Sequence, residues 1–532
     1  MKFLIKYKKI LGNLLFLLFI ASILLLSVRG LPGNPTPTEL NTTYWKDNGP
    51  FELSPERGRF ALLYSIVENH SFNFQPGIAK FTAPDVGYMN HQYVSIFAPS
   101  VSFVAIPGYI LGKYFDISQF GTYIWLALFA LLNVFLIRMI AIRLGAAPLA
   151  ASLAGIAFLF ATPAFAYAVT IYEHHVSTFL ILLTFYLLIR YNNLFSLAAI
   201  WLLYAFSFTV DYPNIFLIFP IAIAAFFRIS TVQEVGKKIL LHISLPRVLA
   251  MAGVIIPLLL FLWFNKVAYG NPFQLSAGSI ARVISVKPNG APVLLADISK
   301  PTSLPQVTKR DEAQGSIFTA FKPRNMLNGF YILLVSPDRG VLVFTPVMLL
   351  GIIGILIANK KKVPYMSVLL GIIGFDLLLY SMWGDPYGGW AFGARYLIPA
   401  YAILAIYIAI LLTYWRKNNI FLLFFFTIFS YSVVVNTLGA LTSNSNPPKV
   451  EAESLSQLSD QEQSYTYARN ISELNSNNSK SYIFQTYAGS YISAWSYYTY
   501  ITIFIVAVAA FFIVYFQAVT REELGEGGQH AL

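Results

Sequence analysis

The sequence predicts an all-α, polytopic membrane protein with twelve or thirteen transmembrane helices. Of its 532 residues, 57% are hydrophobic and only 11% are charged, and the mean hydropathy is +0.63. Apolar runs of about 17 to 22 residues recur along the chain, which is the length that a helix needs to cross a hydrocarbon core of roughly 30 Å. We therefore expect residues 1–532 to form a single transmembrane domain.

The first apolar run, Ile10 to Ser27, follows the basic start MKFLIKYKK. This combination is typical of a secretory signal peptide as well as of a first transmembrane helix. The run is long for a signal peptide, and no small-x-small cleavage site follows it. We therefore interpret it as a retained helix, with the N-terminus in the cytoplasm.

Eleven further spans are predicted from hydropathy. They fall at residues 120–140, 148–169, 176–190, 195–210, 213–228, 247–267, 341–358, 364–382, 396–414, 419–440 and 497–518. The run from Ile96 to Leu111 is interrupted by Pro99, Pro107 and Gly108, so we interpret it as an interfacial or partly inserted element.

The distribution of basic residues supports this topology. The connections on the side of the N-terminus are short and contain Arg138 and Arg143, Arg190, Arg228 with Lys237 and Lys238, Lys360 to Lys362, and Arg416 with Lys417. Counting the run 96–111 as a span would move these clusters to the outer face, against the positive-inside rule. The formal charge of +12 is thus attributed to topology, and no nucleic-acid partner is expected.

Three long connections lie on the opposite, extracytoplasmic side in this topology. We call them the first loop (29–118), the second loop (269–330) and the third loop (441–495). The first loop is expected to carry juxtamembrane helices. Connections of this length usually carry function or are disordered, so we look for functional residues there.

The first loop contains the segment SPERGRF, which has the pattern of a helix start. Ser54 is predicted to be the N-cap, and Glu56 shares a face with the apolar residues Phe60 and Leu63. An acid at the head of an apolar stripe faces protein or membrane, where its pKa can rise to a catalytically useful value. The alternative is a solvated first-turn acid favoured by the helix dipole.

Further polar residues are predicted on the same side of the membrane. They are Arg57, Arg59, Asp85 and His91 in the first loop, then Tyr172, Glu173, His174 and His175, and later Asp211, Asp338, Arg339, Asp385 and Arg395. Asp376 is the exception, because it falls inside a predicted span, where acids are functional candidates by default. The absence of cysteine excludes disulfides and thiolate chemistry.

Several segments taken together carry a family resemblance. They are PERGRF, DVGYMNHQYVSIFAPSVSFVAIPGYILG, YEHH, FNKVAYGNPF, LLVSPDRGVLVFTPVMLLG and WGDPYGGWAFGARYLIPAY. In their order and spacing the chain resembles the GT-C superfamily of integral-membrane glycosyltransferases. That superfamily includes protein O-mannosyltransferases, lipid A aminoarabinose transferases and RgtA/B/C/D-like transferases.

The resemblance implies an enzyme that takes a sugar from a polyprenyl-phosphate carrier and transfers it, usually with inversion, to an acceptor on the extracytoplasmic face. The acceptor would be a lipid, a glycan or a protein, and membrane lipids surround the enzyme. A carboxylate must take the acceptor's proton, and the resemblance places Glu56 in this role. Relatives more often have aspartate within a paired acidic motif, so Asp85 is a rival.

The resemblance also implies groups that bind the donor. Glu173 matches an acid that orients substrate or helps to bind a divalent ion, and with His174 and His175 a site for Mg, Mn or Zn is conceivable. The leaving phosphate requires positive charge, for which Arg57, Arg59, Arg339 and Arg395 are candidates. Tyr88, His91 and Trp390 are further candidates for substrate contacts, although Trp390 also fits an interfacial anchor.

Two other functions stay open at this point. A transporter or flippase for lipid-linked sugars would share the helical bundle and the cationic groove, but it would concentrate polar groups near the membrane midplane. An inactive scaffold would use the third loop to bind a partner. For any of the three, we expect an integral plasma-membrane protein with cytoplasmic termini, and the sequence lacks a eukaryotic retrieval signal.

Overall fold

The computed structural model describes residues 2–235, 238–278, 280–295, 321–459 and 462–529. Its helices are α1 (Lys2–Ser27), α2 (Pro37–Leu40), α3 (Thr43–Lys46), α4 (Ser54–Glu68), α5 (Pro76–Thr82), α6 (Ser100–Tyr114), α7 (Ser118–Arg143), α8 (Pro148–Phe160), α9 (Ala164–Ala168), α10 (His174–Arg190), α11 (Leu194–Val210) and α12 (Asn214–Phe226). They continue as α13 (Leu245–Ala250), α14 (Ile255–Tyr269), α15 (Met326–Leu334), α16 (Val341–Phe344), α17 (Leu350–Lys360), α18 (Met366–Ser381), α19 (Ile398–Tyr414), α20 (Asn419–Leu441), α21 (Lys449–Ser459), α22 (Ala468–Asn475), α23 (Tyr482–Thr486) and α24 (Ala494–Gln529). Residues 279 and 296–320 of the second loop and Lys237 lie outside the described residues.

The apolar helices identify an integral membrane protein. Among the described residues, five helices are long and apolar enough to cross a membrane: Ser118–Arg143, Leu245–Tyr269, Arg395–Tyr414, Asn419–Leu441 and Ala494–Tyr515. Shorter apolar helices occupy the other predicted spans: Leu11–Ser27, Pro148–Phe160, His174–Arg190, Leu194–Val210, Asn214–Phe226, Pro346–Lys360 and Met366–Ser381. The predicted span 148–169 is divided, because α8 ends before Pro163 and α9 is a separate short helix.

The helix α19 lies at the centre of the bundle. Its apolar stretch, counted from Arg395, is 83% buried, the highest share among the five long helices of the described chain. It packs against α7, α8, α10, α17 and α18. Residues placed at the start of α19 are therefore held by most of the bundle.

The sequence did not predict the small sheet that joins the first and second loops. Its antiparallel strands β1 (Asn73–Phe74), β2 (Val86–Met89), β3 (Gln92–Ser95), β6 (Ala281–Val286) and β7 (Pro292–Leu294) follow the order β1-β3-β2-β6-β7. A separate hairpin pairs β4 (Ser230–Val235) with β5 (Lys238–Ile243). Strands this short give little periodic signal, and β2 pairs with β6 across almost 200 residues.

The run 96–111, predicted to be an interfacial element, lies largely in α6, which packs along α7. Gly108 and Gly112 of α6 face Gly121 of α7, where a Cβ atom on Gly121 would lie 2.6 Å from the Gly108 carbonyl oxygen. Small residues allow helices to approach closely in this way. Trp125 adds a hydrogen bond of 2.9 Å from its indole to the Val104 carbonyl.

We expect Gly121→Val to destabilise the protein by about 1–3 kcal/mol or more, because the new side chain would overpack the α6–α7 contact. Thermal unfolding in lipid nanodiscs, followed by intrinsic fluorescence, measures the change. Gly374→Val is the matched control, since a Cβ atom at this helical glycine would meet nothing within 4 Å. Equal unfolding temperatures for the two variants would contradict the close contact.

Candidate active site

Glu52, a carboxylate without a sequence signal of its own, joins distant parts of the chain. Its Oε1 lies 2.7 Å from Nη1 of Arg29, and its Oε2 lies 2.5 Å from Nζ of Lys480. We call these three residues the Glu52 ion cluster; their side chains are at most 5% exposed. Burial alone would raise the pKa of Glu52, but the charges of Lys480 and Arg29 outweigh it and lower this pKa to about 2. Glu52 is therefore ionised at neutral pH.

The third loop closes around the same carboxylate. The hydroxyl of Ser443 and the amide of Asn444 donate to Glu52 at 2.8 and 2.6 Å. Nη2 of Arg29 donates to the Gly439 carbonyl and to Oδ1 of Asn444, both at 2.8 Å. The first loop, the end of α1 and the third loop are thus held together by one connected set of buried ion pairs and hydrogen bonds.

Glu56 is fully buried, which excludes the solvated first-turn acid. Its Oε2 accepts the amide of Leu53 at 3.3 Å, and its Oε1 has no hydrogen-bond partner within the described part of the chain. Burial raises the pKa of Glu56 to about 8. The positive charge of Arg29 opposes this rise, and the negative charge of Glu52 adds to it. A buried carboxyl group with a free oxygen and a raised pKa is suited to proton transfer.

The structure corrects one sequence prediction near Glu56 and gives the contacts of the rival base, Asp85. The N-cap of α4 is Leu53 rather than Ser54. The hydroxyl of Ser54 instead donates to Oδ2 of Asp85 at 2.5 Å, while Oδ1 of Asp85 lies 3.3 Å from Nη1 of Arg282. Both oxygens of Asp85 are engaged, so it is a weaker candidate base than Glu56.

Arg59 and Glu173, predicted from separate segments, form a direct ion pair between Nη2 and Oε2. Their side chains are 8% and 9% exposed. Burial acts to raise the pKa of Glu173, but the Arg59, His174 and Arg395 charges lower it to about 2. The pair joins the first loop to the start of α10. Arg59 belongs to the motif PERGRF and Glu173 to YEHH, so the two motifs lie in contact, as a shared site requires.

A second group, the Tyr172 cluster, consists of Arg59, Tyr172 and Arg395. The guanidinium carbons of Arg59 and Arg395 lie 5.3 and 5.1 Å from the centre of the Tyr172 ring. Burial and the charge of Glu56 raise the pKa of Tyr172 well above its usual value. The ring of Tyr172 therefore contacts both guanidinium groups, and its hydroxyl group interacts electrostatically with Glu56, the candidate base.

Arg395 keeps donors free for a ligand. Its Nη2 donates to the Gly388 carbonyl at 2.7 Å, whereas its Nε and Nη1 are buried without a partner in the described chain. The rings of Tyr167 and Tyr396 lie 5.9 and 5.4 Å from the guanidinium carbon. Aromatic faces stabilise a buried cation while leaving its N–H groups available to an anion.

The two adjacent histidines point in different directions. His174 stacks on Tyr172 with a centroid distance of 5.7 Å, and its Nδ1 lies 3.6 Å from Oε1 of Glu173. His175 lies 2.8 Å from the Ala164 carbonyl through Nε2 and 3.3 Å from Nδ2 of Asn133 through Nδ1, so both of its ring nitrogens are engaged. This geometry corrects the expectation that both histidines would face one metal ion.

No group of three His, Cys, Asp or Glu side chains in the described residues is arranged to hold a metal ion. Glu173 and the free Nε2 of His174 are the remaining potential ligands near the Tyr172 cluster. A divalent cofactor thus stays a prediction of the sequence.

Arg339, a predicted phosphate ligand, donates four of its five N–H groups to backbone carbonyls, which makes it a weaker candidate than Arg395. Its nitrogens donate to the carbonyls of Asp338, Tyr387, Gly389 and Asn446 at 2.7 to 3.1 Å. It therefore fixes the loop of residues 383–394, which leads to Arg395 and which we call the glycine-rich loop.

The other predicted substrate residues lie apart from the Tyr172 cluster or are engaged elsewhere. Arg57 donates to the Phe51 and Ala83 carbonyls. Tyr88 lies in β2 against Tyr93, with ring centres 5.1 Å apart. His91 is exposed at the tip of the β2–β3 hairpin.

Trp390 is half-buried and is linked to the third loop. Its indole donates to Oε2 of Glu451 at 2.6 Å, and Arg469 lies over the ring at 5.6 Å. These contacts place it at a junction between the glycine-rich loop and the third loop.

Two further acids complete the surroundings. Asp211 follows α11, and burial together with the charge of Glu173 raises its pKa to about 8, although Arg59 and Arg395 oppose this change. Asp376 is fully buried in α18, and its Oδ2 accepts the amide of Ala400 in the first turn of α19 at 3.0 Å. It caps the helix that begins just after Arg395.

Comparison of the sequence with protein-family models and with curated proteins gives no match. Among solved structures, the chain is similar to ArnT from Cupriavidus metallidurans in the apo state, with 13% identity and a TM-score of 0.47 over 94% of this chain and 77% of that chain. It is also similar to ArnT from Cupriavidus metallidurans bound to undecaprenyl phosphate, with 13% identity and a TM-score of 0.45 over the same shares. The residue roles proposed below rest on the contacts of this chain itself.

We expect Arg339→Lys to lower stability by at least about 3 kcal/mol, because hydrogen bonds from a charged donor contribute about 1.5–3 kcal/mol each and lysine cannot reach all four carbonyls. Arg395→Lys, which loses a single bond to protein, is the matched control with a small effect. Thermal unfolding of both variants in nanodiscs tests this difference. A stable Arg339→Lys variant would return Arg339 to the list of phosphate ligands.

Proposed function

We propose that the protein is a GT-C glycosyltransferase that moves a sugar from a polyprenyl-phosphate donor to an acceptor, with inversion at the anomeric carbon. The observation that carries the proposal is the buried surroundings of Tyr172. They combine a carboxyl group with a free oxygen, Glu56, and a guanidinium with free donors, Arg395. These are the two groups that a transfer from a phosphate carrier requires on opposite sides of the sugar.

The chemistry follows from these two groups. The acceptor oxygen attacks the anomeric carbon and forms the new glycosidic bond, while its proton passes to Glu56. The bond from the anomeric carbon to the phosphate oxygen breaks, and the phosphate leaves with the electron pair from the opposite face. Arg395 stabilises the charge that develops on the leaving phosphate, because preorganised donors in a site shielded from water act most strongly there.

Glu173 has a supporting role in this proposal. It holds Arg59 beside Tyr172 through the buried ion pair. Arg59 then adds positive charge to the donor site without needing to contact the reacting carbon. Asp211, whose carboxyl group interacts electrostatically with Arg59 and Arg395, would contact hydroxyl groups of the sugar.

The donor class comes from the resemblance of the sequence motifs. The acceptor is proposed to be a lipid, a glycan or a protein, and the site is proposed to face the extracytoplasmic side with both termini in the cytoplasm. Glu173 and His174 are the residues that would contact a divalent ion if the reaction uses one. A chelator arm in the transfer assay tests this cofactor.

The contacts of Asp376 bear on the transporter alternative. An unexplained intramembrane acid would favour ion-coupled transport. Oδ2 of Asp376 caps α19 by accepting the Ala400 amide, whereas its Oδ1 is buried without a partner in the described chain. The acid therefore fits either function, and the assays below decide between them.

We expect Glu56→Gln to lower sugar transfer by about 10²- to 10⁴-fold, the usual contribution of a general base. Binding of the lipid-linked donor should remain, because the amide keeps the size of the side chain. The measurement is transfer of radiolabelled sugar from a panel of polyprenyl-phosphate monosaccharides by the purified protein in lipid. Glu68→Gln, in the same helix but in a more exposed ion pair with Lys113, is the control.

If Glu56→Gln transfers sugar as fast as the wild type, another acid is the base, and Asp85 is tested next. If the wild type transfers no sugar from any donor but moves lipid-linked sugar between leaflets of proteoliposomes, the transporter replaces the enzyme. If the wild type neither transfers sugar nor moves lipid-linked sugar between leaflets, the result favours the scaffold.

We expect Arg395→Lys to lower kcat/KM for the donor about 10- to 100-fold, since a charged hydrogen bond of about 1.5–3 kcal/mol to the leaving phosphate is lost when the planar fork is replaced. Steady-state kinetics at varied donor concentration measures this change. An unchanged kcat/KM would make Arg395 a residue of the helix end only. Thermal unfolding identifies a variant that fails to fold.

A further inference from the structure

The Glu52 ion cluster carries an excess of positive charge beside the candidate base. Arg29 and Lys480 are cations and Glu52 is an anion, so the three buried side chains have one net positive charge. An unbalanced charge away from water is costly, and a nearby anion stabilises it. Glu56 ionised would supply that anion.

The geometry brings Glu56 to this cluster. Its Oε2 accepts the amide of Leu53, the residue that directly follows Glu52. Its Oε1 and Nε of Arg29 are both buried and lack a partner within the described residues. One acceptor and one donor of opposite charge are therefore unsatisfied at the same junction.

The other ionisable groups around Glu56 come from several elements. They are Arg57 in α4, Tyr123 in α7, Tyr167 in α9 and Tyr172 before α10. The three tyrosines are neutral at physiological pH, because an ordinary tyrosine has a pKa of about 10. Arg57 donates to two backbone carbonyls and is the remaining charge.

We propose that Arg29, Glu52 and Lys480 are positioning residues whose net positive charge favours the ionised form of the Glu56 carboxyl group, the form that accepts the acceptor's proton. This inference rests on the proposed role of Glu56 as the base. Lys480, Ser443 and Asn444, which bind Glu52, belong to the third loop. The third loop therefore supplies one of the charges that act on Glu56.

Three variants separate charge from structure. Lys480→Met removes the net positive charge, Glu52→Gln increases it to two, and the double variant restores a net charge of one without the ion pair. The two single variants break the same contact but change the charge in opposite directions. A structural role and an electrostatic role therefore predict different results.

We expect the pH midpoint of kcat/KM to move to higher pH in Lys480→Met, because the carboxylate loses a stabilising cation. It should move to lower pH in Glu52→Gln, because a repelling anion is removed. The two shifts should be opposite in direction, with the larger one in Glu52→Gln, because Glu52 acts on Glu56 more strongly than Lys480 does. The double variant should return close to the wild-type midpoint.

The inference is overturned if the variants lose turnover with no shift of the midpoint, or if both single variants shift in one direction. It is also overturned if the double variant departs further from wild type than either single variant. Thermal unfolding identifies variants that fail to fold. If Glu52→Gln is one of them, the shift in Lys480→Met and its reversal in the double variant still decide the question.

Infrared difference titration of Glu56 in the donor-free protein, with Glu56→Gln as the blank, follows protonation without turnover. Absence of transfer by the wild type at every pH would reject the proposed function. Opposite infrared shifts in the two single variants would then still support the electrostatic effect on Glu56, and equal or absent shifts would overturn it.

Discussion

The buried ion pairs of Glu52 are the interaction on which the arrangement of the loops depends. A carboxylate and two cations without access to water need each other, since removing one partner leaves an uncompensated buried charge. Backbone hydrogen bonds join the same segments. The amide of Tyr482 donates to the Val28 carbonyl at 2.9 Å, and the amide of Lys480 donates to the Leu441 carbonyl at 2.8 Å. Segments more than 400 residues apart are thereby fixed beside Glu56.

The helical bundle supplies the second fixed reference. α19 is the most enclosed of the long apolar helices in the described chain, and Arg395 stands just before it. A helix start inside a membrane protein needs partners for its free amides. Asp376 provides one from α18, and Arg339 holds the preceding loop by its carbonyls. The position of the candidate phosphate ligand is thus determined by groups that do not contact substrate.

The candidate site combines charges that would be unstable separately. Arg59 and Arg395 are buried with incomplete hydrogen bonding, and aromatic rings and Glu173 compensate for part of this cost. The carboxyl group of Glu56 is buried without a complementary cation in contact, which is why its pKa lies far above that of Glu52. Two acids four residues apart are therefore suited to different tasks, one structural and one for proton transfer.

The sequence by itself determined the positions of the apolar helices, which depend on local information, the length of apolar runs. It also placed Glu56, Arg59, Glu173 and Arg395 within a larger set of candidates, and the roles of Glu56 and Glu173 came from the resemblance of their motifs to a known family. Tertiary structure alone decided that Glu52 binds Arg29 and Lys480, that Arg339 donates to four backbone carbonyls, and that His175 turns away from His174. Those outcomes depend on which distant segments meet, and hydrogen bonds across tens to hundreds of residues leave no periodic pattern in the chain.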